Sequence, residues 1–540
     1  MKALALFACL TAMACFSCTS TTEGPSGTSA REWSPPNIVL IMADDMGFSD
    51  IGCYGGEVNT PNIDALAAKG VRFTQFANAG RCCPSRASLL TGRYPHAVGM
   101  GWMTAVDEGI EGYRGQIASD VPTVAEILGE AGYATAMSGK WHLTVDGSYQ
   151  GLGAAARPNG SWPTERGFDR YYGGLSGGGG FYRPTSIVDQ ETRVLAEDLP
   201  DGYYYTHATT DAAVDFIDEL MGDDPLFLYV AYYAPHRPLQ APEERVEPLL
   251  ERYEPGYDAL RQARFDRMVS MGIVPEGHEL PPAVNAPRAW DEWPEQRQTK
   301  WVREMATYAA MIEIMDDGIG EIVDAIDAKG ELENTIFVFL SDNGATDEGG
   351  PVSRLAADLS NTPYMLYKKR TKAGGVRSPL IVSGDAVTRL PSTMLPGSLF
   401  HVPSHVVDLT PMILGYAGVL DGGEFDGRNI ACEFTGLDCV STRSLTFWEH
   451  EGNRAVRDDR WKAVATGVPG AWALYDLATD PFEQIDLATT ESERLASLTS
   501  EWNAWAEANS VLPVHHEGWY KRIDKYKALV PDQSGTALSD

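Results

Sequence analysis

The chain has 540 residues, of which 44% are hydrophobic and 22% charged. That is enough for one large core with a smaller satellite domain. Its formal net charge of −32 disfavours nucleic acid and anionic membrane as partners, because both are polyanions. An anionic ligand would need a locally basic site, and the run Lys368-Lys369-Arg370-Thr371-Lys372 offers one.

Met1-Lys2 followed by the apolar run Ala3 to Cys15 reads as a secretory signal. Residues 1–18 are taken as this leader, and Cys18 keeps lipidation open as the alternative to simple cleavage. The Thr/Ser/Gly-rich stretch that follows makes 19–35 a flexible tether. No later run is long and apolar enough to span a membrane. These features predict an exported protein that is periplasmic, secreted or lipid-anchored at the cell envelope, with no membrane contact beyond such an anchor.

Four apolar runs share a pattern. Asn37 to Met42 leads into Ala43-Asp44-Asp45, and Ala134 to Met137 into Gly139-Lys140-Trp141-His142. Leu226 to Tyr233 leads into Ala234-Pro235-His236, and Thr335 to Leu340 into Ser341-Asp342-Asn343-Gly344. Continuous β-branched and aromatic runs read as buried strands of a parallel sheet. Ligands of open α/β sheets bind beyond the carboxyl ends of the strands. Four segments thus bring Asp, Lys, His and Asn to one edge. Lys140 and His142, two apart, face the same way if their segment is extended.

Helical patterns alternate with these runs. Pro61 to Lys69 follows Thr60 as N-cap, and Val121 to Ala131 follows Asp120 and ends at Gly132. The stretch 251–297 is polar, rich in Pro and Arg and without clean periodicity, and is expected as a long insertion over the site edge. Trp301 to Lys329 is a long helix closed by Gly330. The style changes near Leu414. Short strand-like runs at Ser444 to Trp448, Ala455 to Arg457, Trp461 to Ala465 and Ala473 to Tyr475 precede a helix from Ser492 to Ala508. This predicts a main domain over 36–430 and a C-terminal α+β subdomain over 431–540. Cys432 and Cys439 are close enough for a local disulfide in an oxidising compartment, or stay as two thiols.

Asp44, Asp45, Asp342 and Asn343 are all oxygen ligands. Such a set suits a hard divalent cation, calcium first and magnesium second. Taken alone, Asp45 also suits a helix cap, and Asp342-Asn343-Gly344 a turn.

Residues 82–93 read Cys82-Cys83-Pro84-Ser85-Arg86-Ala87-Ser88-Leu89-Leu90-Thr91-Gly92-Arg93. Cys-x-Pro-Ser-Arg followed by Leu-Thr-Gly-Arg resembles the signature of the type I sulfatases, and the arylsulfatase branch is also echoed in Gly167 to Gly173 and Phe447 to Arg454. The resemblance implies an alkaline-phosphatase-like α/β fold, with a large mixed, mostly parallel sheet flanked by helices and a small C-terminal α+β subdomain. It implies that Cys82 is oxidised to an aldehyde, formylglycine (3-oxoalanine), by a formylglycine-generating or other sulfatase-maturing enzyme. A hydrated aldehyde carries two hydroxyls. One attacks sulfur, and loss of the other's proton expels sulfate, a covalent route with a built-in exit.

The same resemblance assigns the residues. Asp44, Asp45, Asp342 and Asn343, with the modified Cys82, hold calcium. Lys140 binds a sulfate oxygen, and Lys368, in the segment Asn361 to Lys368 before Gly374-Gly375, is the second sulfate-binding Lys. The family often has Glu before those glycines; this chain has Ala373. His142 contacts the hydrate's hydroxyl and helps take its proton, His236 protonates the leaving alcohol or bonds the bridging oxygen of the sulfate, and Arg86 bonds the hydrate and offsets its charge. The substrate would be a sulfated small molecule or glycan. Tyr171 to Tyr182 could form a sugar-facing wall, or a loop that only packs. Two other readings stand beside the hydrolase. One is a phosphatase or phosphodiesterase of the same superfamily, which would use Ser or Thr and two zinc ions. The other is a non-catalytic sulfated-glycan binder with Cys82 unmodified.

Overall fold

The computed structural model describes residues 34–145, 158–284, 289–388, 394–419, 423–435, 444–512, 514 and 517–526. The leader, and the tether up to residue 33, lie outside the described residues.

Ten strands form the main sheet: β1 (Asn37–Ala43), β2 (Val71–Phe73), β3 (Ala134–Gly139), β4 (Arg170–Gly174), β5 (Ile187–Asp189), β6 (Thr192–Arg193), β7 (Leu226–Ala231), β8 (Thr335–Ser341), β9 (Leu380–Ser383) and β10 (Ser398–Phe400). Their order is β10-β2-β9-β8-β1-β7-β3-β4-β5-β6. The four runs singled out in the sequence are the neighbours β8-β1-β7-β3, all parallel. Antiparallel pairs flank this centre, β9 on β8 and β5 on β4. Every residue of β1, β7 and β8 is buried. A strand covered on both faces has no polar alternation to display, which is why these runs are continuously apolar.

Helices cover both faces. The longer ones are α1 (Pro61–Lys69), α2 (Cys82–Thr91), α3 (Val124–Glu130), α4 (Tyr205–Leu220), α5 (Gly256–Ser270), α6 (Glu295–Ala328), α7 (Pro351–Ser360), α8 (Leu409–Ala417), α9 (Ser492–Ala508) and α10 (Trp519–Tyr526). Side chains alternate along β1. Val39 and Ile41 pack with residues of α1, α4 and α6. Ile38, Leu40 and Met42 pack with residues of α2, α3 and α8. The C-terminal part is an antiparallel meander, β11 (Thr446–His450), β12 (Asn453–Arg457), β13 (Trp461–Ala465) and β14 (Trp472–Asp476). Leu498 and Trp502 of α9 cover it, packed with Val456, Ala463 and Leu474.

Register places the site. Met42 pairs with Leu340 on one side and Ala231 on the other, and Ala231 pairs with Gly139. The central strands therefore end level, and the residues after them emerge along one edge.

Three expectations need correction. Helix α3 starts at Val124, not Val121. Its cap is Thr123, which accepts from Glu126 N at 3.2 Å while Glu126 accepts from Thr123 N at 2.6 Å. This reciprocal box outcompetes Asp120. Thr60 stands at the N-cap of α1 without capping it; its hydroxyl donates to Asp64 Oδ1 and accepts from Gly52 N. The stretch 251–297, expected over the site edge, contributes none of its described residues to the lining of the cavity that holds Cys82. It contains α5, whose Arg264 is fully buried and bonds Asp50 Oδ1 at 2.8 Å and Glu57 Oε2 and Oε1 at 2.6 and 2.7 Å. Its Arg residues turn inward, Arg264 to acids and Arg261 and Arg267 to backbone carbonyls of Asp358, Pro281 and Gly55, and this hid the apolar period of Leu260, Phe265 and Met268.

Cys432 is disulfide-bonded; Cys439 lies outside the described residues. Among the described residues, no helix is long and apolar enough to cross a membrane.

Candidate active site

Cys82 is the first residue of α2 and is 1% exposed. The turn before it is held by Ser85, whose Oγ accepts from Ala79 N at 3.0 Å. The Cys82 thiol donates to Asp44 Oδ1 at 3.6 Å. Burial pushes its pKa up to about 12, against the pull of Lys140 and Lys368. One helical turn on, Arg86 lies on the same face. It donates to Lys140 O at 2.7 Å and Asp342 Oδ2 at 3.0 Å, and its Nη2 lies 3.5 Å from Asp44 Oδ2.

Asp44 and Asp45 follow β1; Asp342 and Asn343 follow β8. Asp45 adopts a left-handed backbone, φ +64°, which the chain needs to turn here. Its N–H donates to Asp342 Oδ1 at 3.3 Å, and its Oδ1 accepts from Asn343 Nδ2 at 2.6 Å. All four side chains are buried. Burial and the charge of Asp44 push Asp342 up to about 7 despite Arg86. Against the same burial, Lys140, His236, Arg86 and Lys368 hold Asp44 well below the usual carboxylate range. Asp45 Oδ2 and Asn343 Oδ1 are buried acceptors without a hydrogen-bond partner. Orphan oxygens among crowded carboxylates fit a hard divalent cation. Asp44, Asp45, Cys82 and His236 each bring a potential ligand atom within 4.8 Å of the others; sequence reasoning had not put His236 in that group.

Lys140 follows β3, its N–H bonded to Ala231 O at 2.7 Å, and its ammonium pairs with Asp44 Oδ2. Lys368 Nζ lies 2.5 Å from Asp45 Oδ1, in ionic contact without hydrogen-bond geometry. Lys140 and His142 do not share one extended segment. His142 has φ +59°, so its ring lines the cavity while Lys140 reaches Asp44 beneath. Burial, then Lys140 and Arg86, push the His142 pKa well below that of free imidazole. His236 Nδ1 donates to Arg237 O at 2.5 Å, because a carbonyl can only accept, and Nε2 faces Asp45 Oδ2 at 3.6 Å. Burial lowers its pKa to about 4 in spite of Asp45 and Asp44.

These groups open into a cavity of about 450 Å³ lined by Cys82, His142, His236 and Lys368. Its wall adds residues that the sequence did not single out: Arg81, Met103, Glu348, Trp519 and Tyr520. Of the basic run, Lys368 and Lys369 line the cavity, while Arg370 bonds Asn453 and Lys372 bonds Glu483 O. The Tyr171–Tyr182 segment is no aromatic wall. Tyr171 is core, and the segment's cavity-lining residues are Gly177 and Gly178. Beside Ala373, where a glutamate is often found, Glu483 accepts from Ala373 N at 3.1 Å and Lys462 Nζ at 2.7 Å.

Comparison with known proteins agrees over most of the chain. The family model described as Sulfatase matches residues 36–419. An arylsulfatase of Klebsiella aerogenes is 32% identical over 431 residues, covering 73% of this chain and 89% of that protein. An uncharacterized sulfatase of Schizosaccharomyces pombe is 31% identical over 549 residues, covering 89% and 95%. The crystal structure described as Ps i-CgsB in complex with k-i-k-neocarrahexaose superposes with a TM-score of 0.67 at 26% identity, covering 92% of this chain and 98% of that one.

Proposed function

This chain belongs to the sulfatase family and is a sulfuric ester hydrolase, and on that premise we propose that it cleaves aryl or carbohydrate sulfate esters using formylglycine made from Cys82, releasing inorganic sulfate. The observation that carries the reading is the gathering of Cys82, Asp44, Asp45 and His236, with Cys82 and His236 on the wall of one cavity and the two carboxylates buried behind it. Once hydrated, the aldehyde supplies one hydroxyl for attack on sulfur and a second through which sulfate is expelled.

The other roles belong to the chain's own side chains. Asp44, Asp45, Asp342 and Asn343, with residue 82, hold the cation, calcium before magnesium; the orphan oxygens of Asp45 and Asn343 support this. When bound, the cation draws charge off the sulfate oxygens. Lys140 and Lys368 bind sulfate oxygens, giving an anion a foothold in a chain of net charge −32. His142 accepts the proton from residue 82, a role suited to a ring that burial and neighbouring cations keep neutral. His236 protonates the leaving oxygen through Nε2 when its ring is cationic, because Nδ1 keeps its own proton on Arg237 O; the negative charge of a bound sulfate ester favours that cation. Arg86, bound to Asp342, bonds the hydrate and orders the floor of the site. The maturing enzyme is a necessary partner, and the leader at 1–18 puts the work outside the cytoplasm: periplasmic, secreted or lipid-anchored.

The Klebsiella relative supports aryl esters, and the similar structure with neocarrahexaose supports carbohydrate esters. Sulfate release from 4-nitrophenyl sulfate and from sugar sulfates, beside phosphate release from 4-nitrophenyl phosphate, tests the reaction class. Sulfate esters should be turned over faster. Faster phosphate release would favour the phosphatase reading, and binding without any release the glycan-binder reading.

A further inference from the structure

We propose that Tyr520 and Trp519 of α10 form a platform for the pyranose ring of a carbohydrate sulfate, and that Arg81, Glu348 and Lys369 take that ring's hydroxyls. The proposal rests on the hydrolase reading above and narrows its substrate class.

Helix α10 is short, yet it is firmly held. Arg522, 2% exposed, pairs with the buried Glu108. Its guanidinium carbon lies 4.1 Å from the Trp102 ring centroid and 5.0 Å from that of Tyr113. The Trp519 and Trp102 ring centroids are 5.0 Å apart at 55°. Trp102 is fixed in turn by its Nε1 donating to Glu451 Oε1 at 3.0 Å. A buried ion pair with two cation–π contacts makes a rigid mount. From it Tyr520 lines the cavity that holds Cys82, with 69% of its surface exposed. An exposed aromatic residue on the wall of a cavity brings apolar surface to a ligand.

The polar part of the wall says what else the ligand carries. Glu348 pairs with Arg81 Nη1 at 2.9 Å and with Lys369 Nζ at 2.5 Å. Glu451 adds a second negative charge beside Arg81 and Lys369. Lys368 of the same wall is paired with Asp45, and Arg81 and Lys369 are answered by Glu348 on the wall and by Glu451 outside its lining, so this part of the wall is not built for a second anion. It presents donors and an acceptor side by side, which is what vicinal hydroxyls need. An aryl sulfate could use the rings but would strip water from this paired polar group without offering it hydrogen bonds in return, a loss on desolvation. One apolar face with hydroxyls at its edge describes a sugar ring. The cavity, about 450 Å³, falls in the range of sites that enclose small organic ligands.

The test is steady-state kinetics of wild type, Tyr520→Ala, Tyr520→Phe and Glu348→Gln on a sulfated disaccharide, with melting temperatures measured alongside. Tyr520→Ala removes an exposed side chain, so the fold should persist. It should raise KM about tenfold with kcat nearly unchanged, the signature of lost uniform binding. Tyr520→Phe should restore KM to within about twofold, because the ring face is kept. Glu348→Gln should also raise KM. Unchanged KM in Tyr520→Ala and Glu348→Gln, or a wild type that releases sulfate from aryl esters but not from the sugar, overturns the platform and leaves the hydrolase reading standing. A wild type inert on every ester overturns the hydrolase reading and the platform with it.

Discussion

Gly177 faces the ring of His142 so closely that a Cβ at 177 would lie 1.9 Å from Cε1 and 2.0 Å from Nε2. The absence of a side chain there sets where the imidazole can stand. Gly177→Ala should therefore displace His142 rather than unfold the protein. A displaced proton acceptor costs about 10² in kcat. Melting should change little. Kinetics with a thermal scan checks this, and an active Gly177→Ala enzyme would mean that His142 is not needed in its present position.

His236 is assigned to the leaving group. An alkoxide leaving a sugar is a strong base and needs a proton, whereas nitrophenolate barely does. His236→Ala should depress turnover of alkyl or sugar sulfates about 10²–10⁴-fold more than that of nitrophenyl sulfate. Equal losses on both, read from kcat across leaving groups of graded basicity, would assign His236 another task.

Much of this fold could be read from the sequence because the central strands are buried on both faces. Asn37 to Met42, Leu226 to Tyr233 and Thr335 to Leu340 carry that burial openly, and their register brings the following residues together. What could not be read was set by contacts between distant segments. Gly177 looks like any loop glycine until the His142 ring comes against it. Arg264 looks like surface charge until Asp50 and Glu57 close around it. Tyr520 sits in a polar C-terminal stretch whose anchor, Glu108, lies far away in the chain. His142 escaped the extended geometry expected of it through a left-handed backbone that no local pattern announces.

A cation among Asp44, Asp45, Asp342 and Asn343 should stabilise the fold as well as support turnover. Calcium at a hundred times its Kd adds about 2.7 kcal/mol by linkage. Chelation should lower the melting temperature and abolish activity, and calcium should restore both better than zinc. Asp342→Ala should lose the calcium-dependent shift in melting, which separates metal affinity from turnover. A metal content of two zinc ions per active chain would support the phosphatase reading instead.

Arg264 tests the structural role of the 251–297 stretch. Arg264→Ala takes the guanidinium away from the buried Asp50 and from the part-buried Glu57, which keeps Arg267 at 3.7 Å, and breaking such a buried pair costs about 3–5 kcal/mol. Denaturant unfolding should report that loss, while KM of the remaining folded enzyme stays near that of wild type. A variant of full stability with a raised KM would return this stretch to the site edge.

The central claim is that residue 82 works as an aldehyde, and mass spectrometry of the peptide spanning Cys82 and Cys83, on protein made with its maturing enzyme, reads it directly. The aldehyde should lie on residue 82, which has Pro84 and Arg86 at the motif offsets, and its fraction should track specific activity across preparations. Cys82→Ala should be inactive and Cys83→Ala should retain the aldehyde. An aldehyde on residue 83, or full activity with Cys82 wholly unmodified, would contradict the account.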